Sequence, residues 1–159
     1  MDNYSDLSIV RSCTGEAITD DLPPSPYLKV VTVSAAILLD ADNRILLAQR
    51  PKGKPMAGLW EFPGGKVEEK ETPEYALIRE LNEELGIMTG VDCLHPLTFA
   101  SHSYDDFHLL MPVFVCRTWK GNLQPREGQN LKWVKKHDLH NYSMPAADKP
   151  LIPFIFDYL

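Results

Sequence analysis

The chain has 159 residues, 44% of them hydrophobic, which suits a single globular domain with a sizeable core. Its formal net charge of −6 argues against broad electrostatic binding to DNA, RNA or anionic lipid, but leaves room for a small cationic pocket that binds a polyanion. Three widely spaced cysteines match no metal-ligand pattern and no apolar run reaches membrane-spanning length, so we expect reduced thiols, no disulfide, no membrane contact and a cytoplasmic location.

The N-terminal part, residues 1 to 28, is predicted to be a flexible extension. It lacks hydrophobic periodicity and contains the acidic, proline-rich run TDDLPPSP. A single domain is then predicted over residues 29 to 159. It opens with the run LKVVTVSAAILLD, whose continuous apolar and β-branched residues predict a central strand.

Turn and loop residues divide the next part of the chain into short segments. Residues 41 to 43, ADN, supply a turn, and RILLAQR at residues 44 to 50 predicts a second strand. Two prolines and two glycines predict a loop over residues 51 to 60. The short segment WEF at residues 60 to 62 is then followed by a predicted glycine turn at residues 64 and 65.

The clearest local pattern predicts a helix over residues 73 to 86. Thr72 provides a cap, Pro73 suits the first helical position, and Gly86 ends the helix. The acidic Glu74 complements the positive end of the helix dipole. Helical spacing aligns the leucines of this segment in one apolar stripe, formed by Leu77, Leu81 and Leu85.

The remaining segments predict further strands and a second helix. Apolar residues near 91 to 100 and 107 to 117 predict two strands joined by a hairpin loop at residues 102 to 106, and residues 133 and 134 predict a short strand. Residues 146 to 159 predict a helix whose beginning is made irregular by two prolines. Strands on both sides of a helix indicate a mixed α/β (α+β) domain.

Three carboxylates lie on the face of the first helix that adjoins the leucines: Glu80, Glu83 and Glu84. Like charges at this spacing repel unless a cation offsets them. Oxygen ligands without cysteine suit a hard ion such as Mg²⁺, with Mn²⁺ as a substitute. The alternative is a solvated acidic face in which Arg79 pairs with Glu83.

The residues around this helix decide between the two interpretations. They follow the pattern glycine-x5-Glu-x7-Arg-Glu-aliphatic-x-Glu-Glu-x-Gly-aliphatic without departure, with Gly65, Glu71, Arg79, Glu80, Leu81, Glu83, Glu84, Gly86 and Ile87 at its positions. With a chance of about 1 in 15 at each of the seven non-aliphatic positions, a random window matches on the order of once in 10⁸. This stretch resembles the Nudix box of the Nudix hydrolases.

That resemblance implies a fold and a reaction. The expected fold is an α/β/α sandwich with a mixed sheet, and the expected reaction is hydrolysis of a nucleoside diphosphate linked to another group. Weaker segments between residues 30 and 152 are similar to the MutT branch, namely AQR, LWEFPGGK, REGQ and MPAADKPLI. The resemblance therefore implies a small-molecule substrate, 8-oxo-dGTP or a related oxidised guanosine triphosphate. Its hydrolysis to monophosphate and pyrophosphate would clean the nucleotide pool and protect DNA replication from mutation.

The same resemblance implies roles for individual residues. The metal set comprises Gly64 through its carbonyl group, Glu80, Glu84 and Glu127. Glu83 completes the carboxylate cluster, and Arg79 orients a glutamate. Glu127 either binds metal or accepts a proton from water, two roles that the sequence does not separate.

Substrate-binding residues come from other segments. Arg50 and Lys66 are the expected phosphate contacts, one through a planar fork and the other as a point charge. Phe62 is expected to stack on the base, and three further residues to line its pocket: Tyr104, Leu109 and Met111. Each apolar member of this set alternatively belongs to the core.

Asp148 is the candidate for contact with the base edge, and it departs from the best-known MutT pattern, which has an asparagine there. An ionised aspartate only accepts hydrogen bonds, whereas a buried, protonated one also donates. Its structural alternative is a cap of the C-terminal helix.

Phe107 also stands where that pattern has an arginine. These departures keep open a second substrate class, such as a pyrimidine nucleoside triphosphate, and a third alternative is a non-catalytic reader of damaged bases. A monomer or weak dimer is expected.

Overall fold

The structure is a computed structural model that describes residues 28 to 159, so the predicted extension lies outside the described residues except for Leu28. The regular elements follow one another as β1 (Lys29–Leu38), β2 (Ile45–Gln49), β3 (Trp60–Glu61), β4 (Gly64–Lys66), α1 (Pro73–Leu85), β5 (His95–Ser103), β6 (Phe107–Cys116), β7 (Asn130–Val134) and α2 (Leu151–Tyr158). Short 3₁₀ helices occupy Val91–Cys93 and Lys136–Asn141. The predicted mixed α+β class is confirmed.

The strands form two sheets. The larger has the order β4-β1-β6-β5, and the smaller has the order β3-β2-β7. In the larger sheet β1 runs parallel to β6 and antiparallel to β4, and β6 pairs antiparallel with β5. The smaller sheet is antiparallel throughout. The chain therefore places β1, predicted as a central strand, between two neighbours of its own sheet.

Helix α1 covers one face of the larger sheet. Thr72 accepts a hydrogen bond from the Tyr75 N–H at its start, and Gly86 ends it in a left-handed conformation with φ of 71°. The predicted leucine stripe is fully buried, together with Ala36 and Leu38 from one face of β1. Alternation along the strand sends these two residues toward α1 and their neighbours to the opposite side.

The opposite face of β1 contributes to a second core. Ala35, Ile37 and Leu39 pack there with Leu151 and Ile155 of helix α2. With helices on both faces of the strands, the expected layered α/β/α arrangement is present. The cavity described below opens at the edge of this second core.

Some predicted boundaries are wrong for local physical reasons. Residues 64 and 65 form strand β4 rather than a turn, because they pair antiparallel with Ala35 and Ser34. Residues 91 to 93 are a 3₁₀ helix rather than strand, and β5 extends to Ser103, which shortens the hairpin loop. The second helix begins at Leu151 instead of residue 146, because residues 146 to 150 are turns that end in a proline.

Two further predictions concern cysteines and membranes. Cys93 and Cys116 are both free thiols, while Cys13 lies outside the described residues. Within residues 28 to 159, no helix has the length and apolar character needed to cross a membrane.

Candidate active site

A cavity of about 400 Å³ opens beside β1, β4 and β6 and is closed on its other side by the loop between β2 and β3. Its size is typical of a site for a small molecule. The lining includes most of the predicted site residues, namely Arg50, Phe62, Gly64, Lys66, Glu84, Tyr104, Leu109, Met111, Glu127 and Asp148. Arg79, Glu80 and Glu83 lie outside this lining, on the neighbouring surface of α1.

Glu84 is the carboxylate that α1 contributes to the cavity. Burial, together with the negative charges of Glu127, Glu80 and Glu61, raises its pKa to about 8, while the Gly64 backbone N–H acts in the opposite direction. A carboxylate surrounded by three others is held in an environment that favours either a proton or a cation.

Arg79 holds the other carboxylates of the box. Its Nε and Nη2 donate to the two oxygens of Glu71 at 2.8 and 2.9 Å, and its Nη1 donates to Glu80 at 2.7 Å. The contact to Glu83 is longer, at 3.3 Å, and Glu83 is largely exposed. The bidentate bond to Arg79 lowers the pKa of Glu71 to about 2, helped by the Glu68 N–H. Arg79 thus fixes the direction of Glu80, and Gly65 leaves the space that the Glu80 carboxylate occupies.

Glu127 approaches the cavity from the loop between β6 and β7. Lys54 Nζ donates to its carboxylate at 2.7 Å, across 73 residues of sequence. This hydrogen bond, with the charge of Glu127, raises the pKa of Lys54. Lys54 of the β2–β3 loop therefore forms an ion pair with Glu127 of the REGQ segment.

Arg50 is bound to protein groups as well as lining the cavity. Its Nε donates to Glu61 at 2.7 Å and its Nη1 donates to the Pro55 carbonyl at 3.1 Å. Burial raises the pKa of Glu61, and the Arg50 hydrogen bond opposes that effect. The guanidinium is thereby fixed in orientation at the cavity wall.

The expected base pocket is aromatic and apolar. Phe62, Leu109 and Met111 are each less than 10% exposed, so they belong both to the core and to the cavity lining. Tyr104 stacks on Phe107 with ring centroids 5.0 Å apart. Phe107 thus joins the aromatic wall instead of supplying the charge of an arginine.

Asp148 is 6% exposed and faces the cavity. Burial, together with the charge of Glu61, raises its pKa to about 7, while Arg50 and the Phe62 N–H oppose the shift. The cap alternative is wrong, because Pro150 occupies the cap position of α2 and no side chain bonds to that helix end.

The residues suit a divalent cation by donor type. Glu84 lies near three other glutamates, and carboxylate oxygens are the ligands that Mg²⁺ and Mn²⁺ prefer. Within residues 28 to 159, no three carboxylate, imidazole or thiol groups converge into a ready metal site as the side chains lie. Two of the candidate ligands are paired with cationic side chains instead, Glu80 with Arg79 and Glu127 with Lys54.

Sequence reasoning missed four polar residues of the cavity lining: Gln49, Lys54, Glu61 and Gln129. Gln49 stood inside the quoted AQR segment. Glu61 stood inside the quoted LWEFPGGK segment and Gln129 inside REGQ, so the motifs contained both without giving either a role. Lys54 carried no signal, because it lies in a loop and its partner is distant in sequence.

Comparison with known proteins shows which family the chain is similar to. A family model described as NUDIX domain matches residues 34–153. An 8-oxo-dGTP diphosphatase from Proteus vulgaris is 41% identical over 100 residues, which cover 63% of this chain and 88% of that protein. A CTP pyrophosphohydrolase from Escherichia coli (strain K12) is 40% identical over 127 residues, with 79% and 90% covered.

The solved structures point the same way. The crystal structure of a MutT NUDIX hydrolase from Burkholderia pseudomallei is 30% identical and aligns with a TM-score of 0.71. The alignment covers 80% of this chain and 98% of that one.

Proposed function

This chain belongs to the Nudix family, and we propose that it is a nucleoside triphosphate pyrophosphohydrolase of the MutT type whose preferred substrates are oxidised guanosine triphosphates such as 8-oxo-dGTP. The observation that carries the proposal is the position of Glu84. The box helix delivers this carboxylate into a cavity that also holds cationic side chains and an aromatic pocket. Hydrolysis of a phosphoric anhydride uses the carboxylate and the positive charge, and the aromatic pocket suits the base of a nucleotide.

Cationic side chains of the cavity lining support binding of a triphosphate. Arg50, Lys54 and Lys66 line the cavity, so that phosphate oxygens inside it meet positive charge on more than one side. Arg50 is held by Glu61, which presents the guanidinium in a fixed orientation. Charge neutralisation of this kind lowers the barrier to attack on an anionic phosphorus.

Divalent metal is the general requirement of this family, and we assign Mg²⁺ to this chain, with Mn²⁺ as a substitute. Glu80, Glu84 and Glu127 would hold it, with the Gly64 carbonyl as a further oxygen ligand. Bound there, the ion would neutralise phosphate charge and lower the pKa of bound water. Arg79 donates to Glu80 and would orient it as a ligand, and Glu83 would add negative charge nearby.

The reaction consumes one water molecule and breaks one phosphoric anhydride bond. The water oxygen bonds to phosphorus, the bridging oxygen leaves with its electron pair, and the products are the nucleoside monophosphate and pyrophosphate. A carboxylate takes the proton that the water loses, and Glu127, which lines the cavity, is the candidate for that role as the alternative to binding metal.

The base pocket supports oxidised guanine as the preferred base. Phe62 and Tyr104 supply aromatic faces for stacking, and Asp148 lies buried at the cavity wall. A protonated Asp148 both donates and accepts, which matches a purine edge that carries N–H and C=O groups. Asp148 instead of asparagine is also the observation that favours a second candidate, hydrolysis of a pyrimidine triphosphate such as CTP.

A substitution separates a catalyst from a non-catalytic reader of damaged bases. Glu84→Gln should lower kcat by orders of magnitude and leave the fold intact, because it removes a charged oxygen and no core contact. Glu74→Gln, the same change in the first turn of α1, is the control and should keep full activity. Unchanged kcat in Glu84→Gln would refute the assigned site and would favour the alternative, a non-catalytic protein that recognises damaged bases.

The proposed role is sanitation of the nucleotide pool, which avoids mutation during DNA replication and complements DNA repair. It requires a free nucleotide rather than DNA or RNA, in keeping with the net charge of −6. We place the protein in the cytoplasm, as a monomer or weak dimer without a membrane partner.

A further inference from the structure

Gln129 is one of three polar or charged residues that are buried among the described residues, with 7% of its surface exposed. A buried amide is stable only when its donor and acceptor groups are satisfied. Its Oε1 accepts from the Glu127 backbone N–H at 2.8 Å, and its Nε2 donates to the Glu84 backbone carbonyl at 3.0 Å. One side chain therefore bonds the backbones of Glu84 and Glu127, two of the three described glutamates that line the cavity.

The loop that carries Glu127 is attached to the end of α1 at further points. The Arg126 N–H also donates to the Glu84 carbonyl, at 3.0 Å, and the Gln124 N–H donates to the Leu85 carbonyl at 2.9 Å. The Arg126 guanidinium donates to the Asn82 carbonyl at 3.0 Å. The last carbonyls of a helix have no partner within the helix, so the loop satisfies them and is fixed to that helix end.

Charge alone would drive this loop away. Glu84 and Glu127 line the same cavity, where two negative charges repel each other. The Lys54 pair with Glu127 is about half exposed and holds the carboxylate end, not the backbone. A buried amide that bonds both backbones resists the separation directly.

We propose that Gln129 is a positioning residue, which holds Glu127 beside Glu84 and so sets the spacing of the two carboxylates for metal and substrate. This inference rests on the proposed function for the roles of the two glutamates. Gln129 acts through the backbone of its partners and transfers no proton itself. Groups that orient ligands in this way typically change metal affinity or activity by about 10- to 100-fold when removed.

The test uses Gln129→Met, which keeps the length of the side chain and removes both hydrogen bonds. Gln124→Met is the matched control, because Gln124 is exposed in the same loop and bonds α1 only through its backbone. Two quantities are measured in each protein: Mn²⁺ affinity by electron paramagnetic resonance without nucleotide, and the Mg²⁺ concentration for half-maximal hydrolysis of 8-oxo-dGTP. The thermal midpoint Tm is recorded alongside. Gln129→Asn, one methylene shorter, replaces Gln129→Met if that variant does not fold.

We expect Gln129→Met to weaken Mn²⁺ binding and to raise the half-maximal Mg²⁺ concentration by about tenfold or more, with no change in the control. When Glu127 has already been replaced by glutamine, Gln129→Met should change Mn²⁺ affinity and the half-maximal Mg²⁺ concentration by less than about twofold more. Both substitutions then act on the same interaction, so their effects are not additive. A lower Tm of Gln129→Met with unchanged Mn²⁺ affinity and Mg²⁺ dependence would overturn the inference. So would an equally large effect of Gln129→Met on these two quantities in the Glu127→Gln protein. If the unaltered protein does not hydrolyse 8-oxo-dGTP, the proposed function fails, while Mn²⁺ binding still decides the role of Gln129.

Discussion

Replacement of Asp148 by asparagine should flatten the dependence of stability on pH. The side chain is 6% exposed, and burial together with Glu61 raises its pKa from 3.8 to about 7. Between these values the folded protein holds a proton that the unfolded chain has released. Stability from this group is therefore full below about pH 4 and is lost as the pH rises through about 7.

The size of the effect follows from the shift. About three pKa units, at about 1.4 kcal/mol each, amount to about 4 kcal/mol of unfolding free energy between pH 4 and pH 8. Asparagine fills the same space and does not titrate. As the pH rises from 4 to 8, the unfolding free energy of Asp148→Asn should therefore rise relative to that of the unaltered protein by up to that amount.

Urea unfolding at a series of pH values, with a chelator present, measures the difference. Asp157→Asn, the same change at an exposed position of α2, is the control and should follow the unaltered protein. Parallel curves for Asp148→Asn and the unaltered protein would refute the reasoning that burial makes this carboxyl retain its proton.

Three further predictions concern the core, strand β4 and the metal. Leu81→Ala should lower the unfolding free energy by about 2 to 5 kcal/mol in urea, because it leaves a cavity between α1 and the sheet. Gly64→Ala should cost about 2 kcal/mol or more, since its methyl group would run into the Ser34 carbonyl. Gly90→Ala, with open space around it, should stay within about 0.5 kcal/mol. EDTA should abolish hydrolysis in a product assay and Mg²⁺ should restore it; activity that persists in EDTA would contradict the metal assignment.

Local signals predicted helix α1 almost to the residue. A cap, a proline at the first position, a leucine stripe and a terminal glycine all act within 15 residues of one another, so the sequence alone contains them. The pairing of strands depends on distant partners. β2 follows β1 after a short turn, yet it joins β7 and β3 in a separate sheet, while β1 pairs in parallel with β6. Neither choice leaves a periodic signal in the strands themselves.

The candidate site divides in the same way. Glu84 follows from the spacing of the box, because the helix fixes its direction. Asp148 was predicted from the family resemblance alone, and only the fold shows that it is buried and that its side chain does not cap α2. The roles of Glu61, Lys54 and Gln129 depend on partners in other segments, such as the pair across 73 residues between Lys54 and Glu127. Such contacts exist only after folding.

The most direct test of the proposed activity is a substrate panel with identification of the products. 8-oxo-dGTP, dGTP, dCTP and CTP are assayed with Mg²⁺, and kcat/KM is determined for each. The account predicts that 8-oxo-dGTP exceeds every other substrate by at least about tenfold and yields the monophosphate and pyrophosphate. Equal kcat/KM for 8-oxo-dGTP and dGTP, a preference for CTP or dCTP, or release of orthophosphate would contradict it.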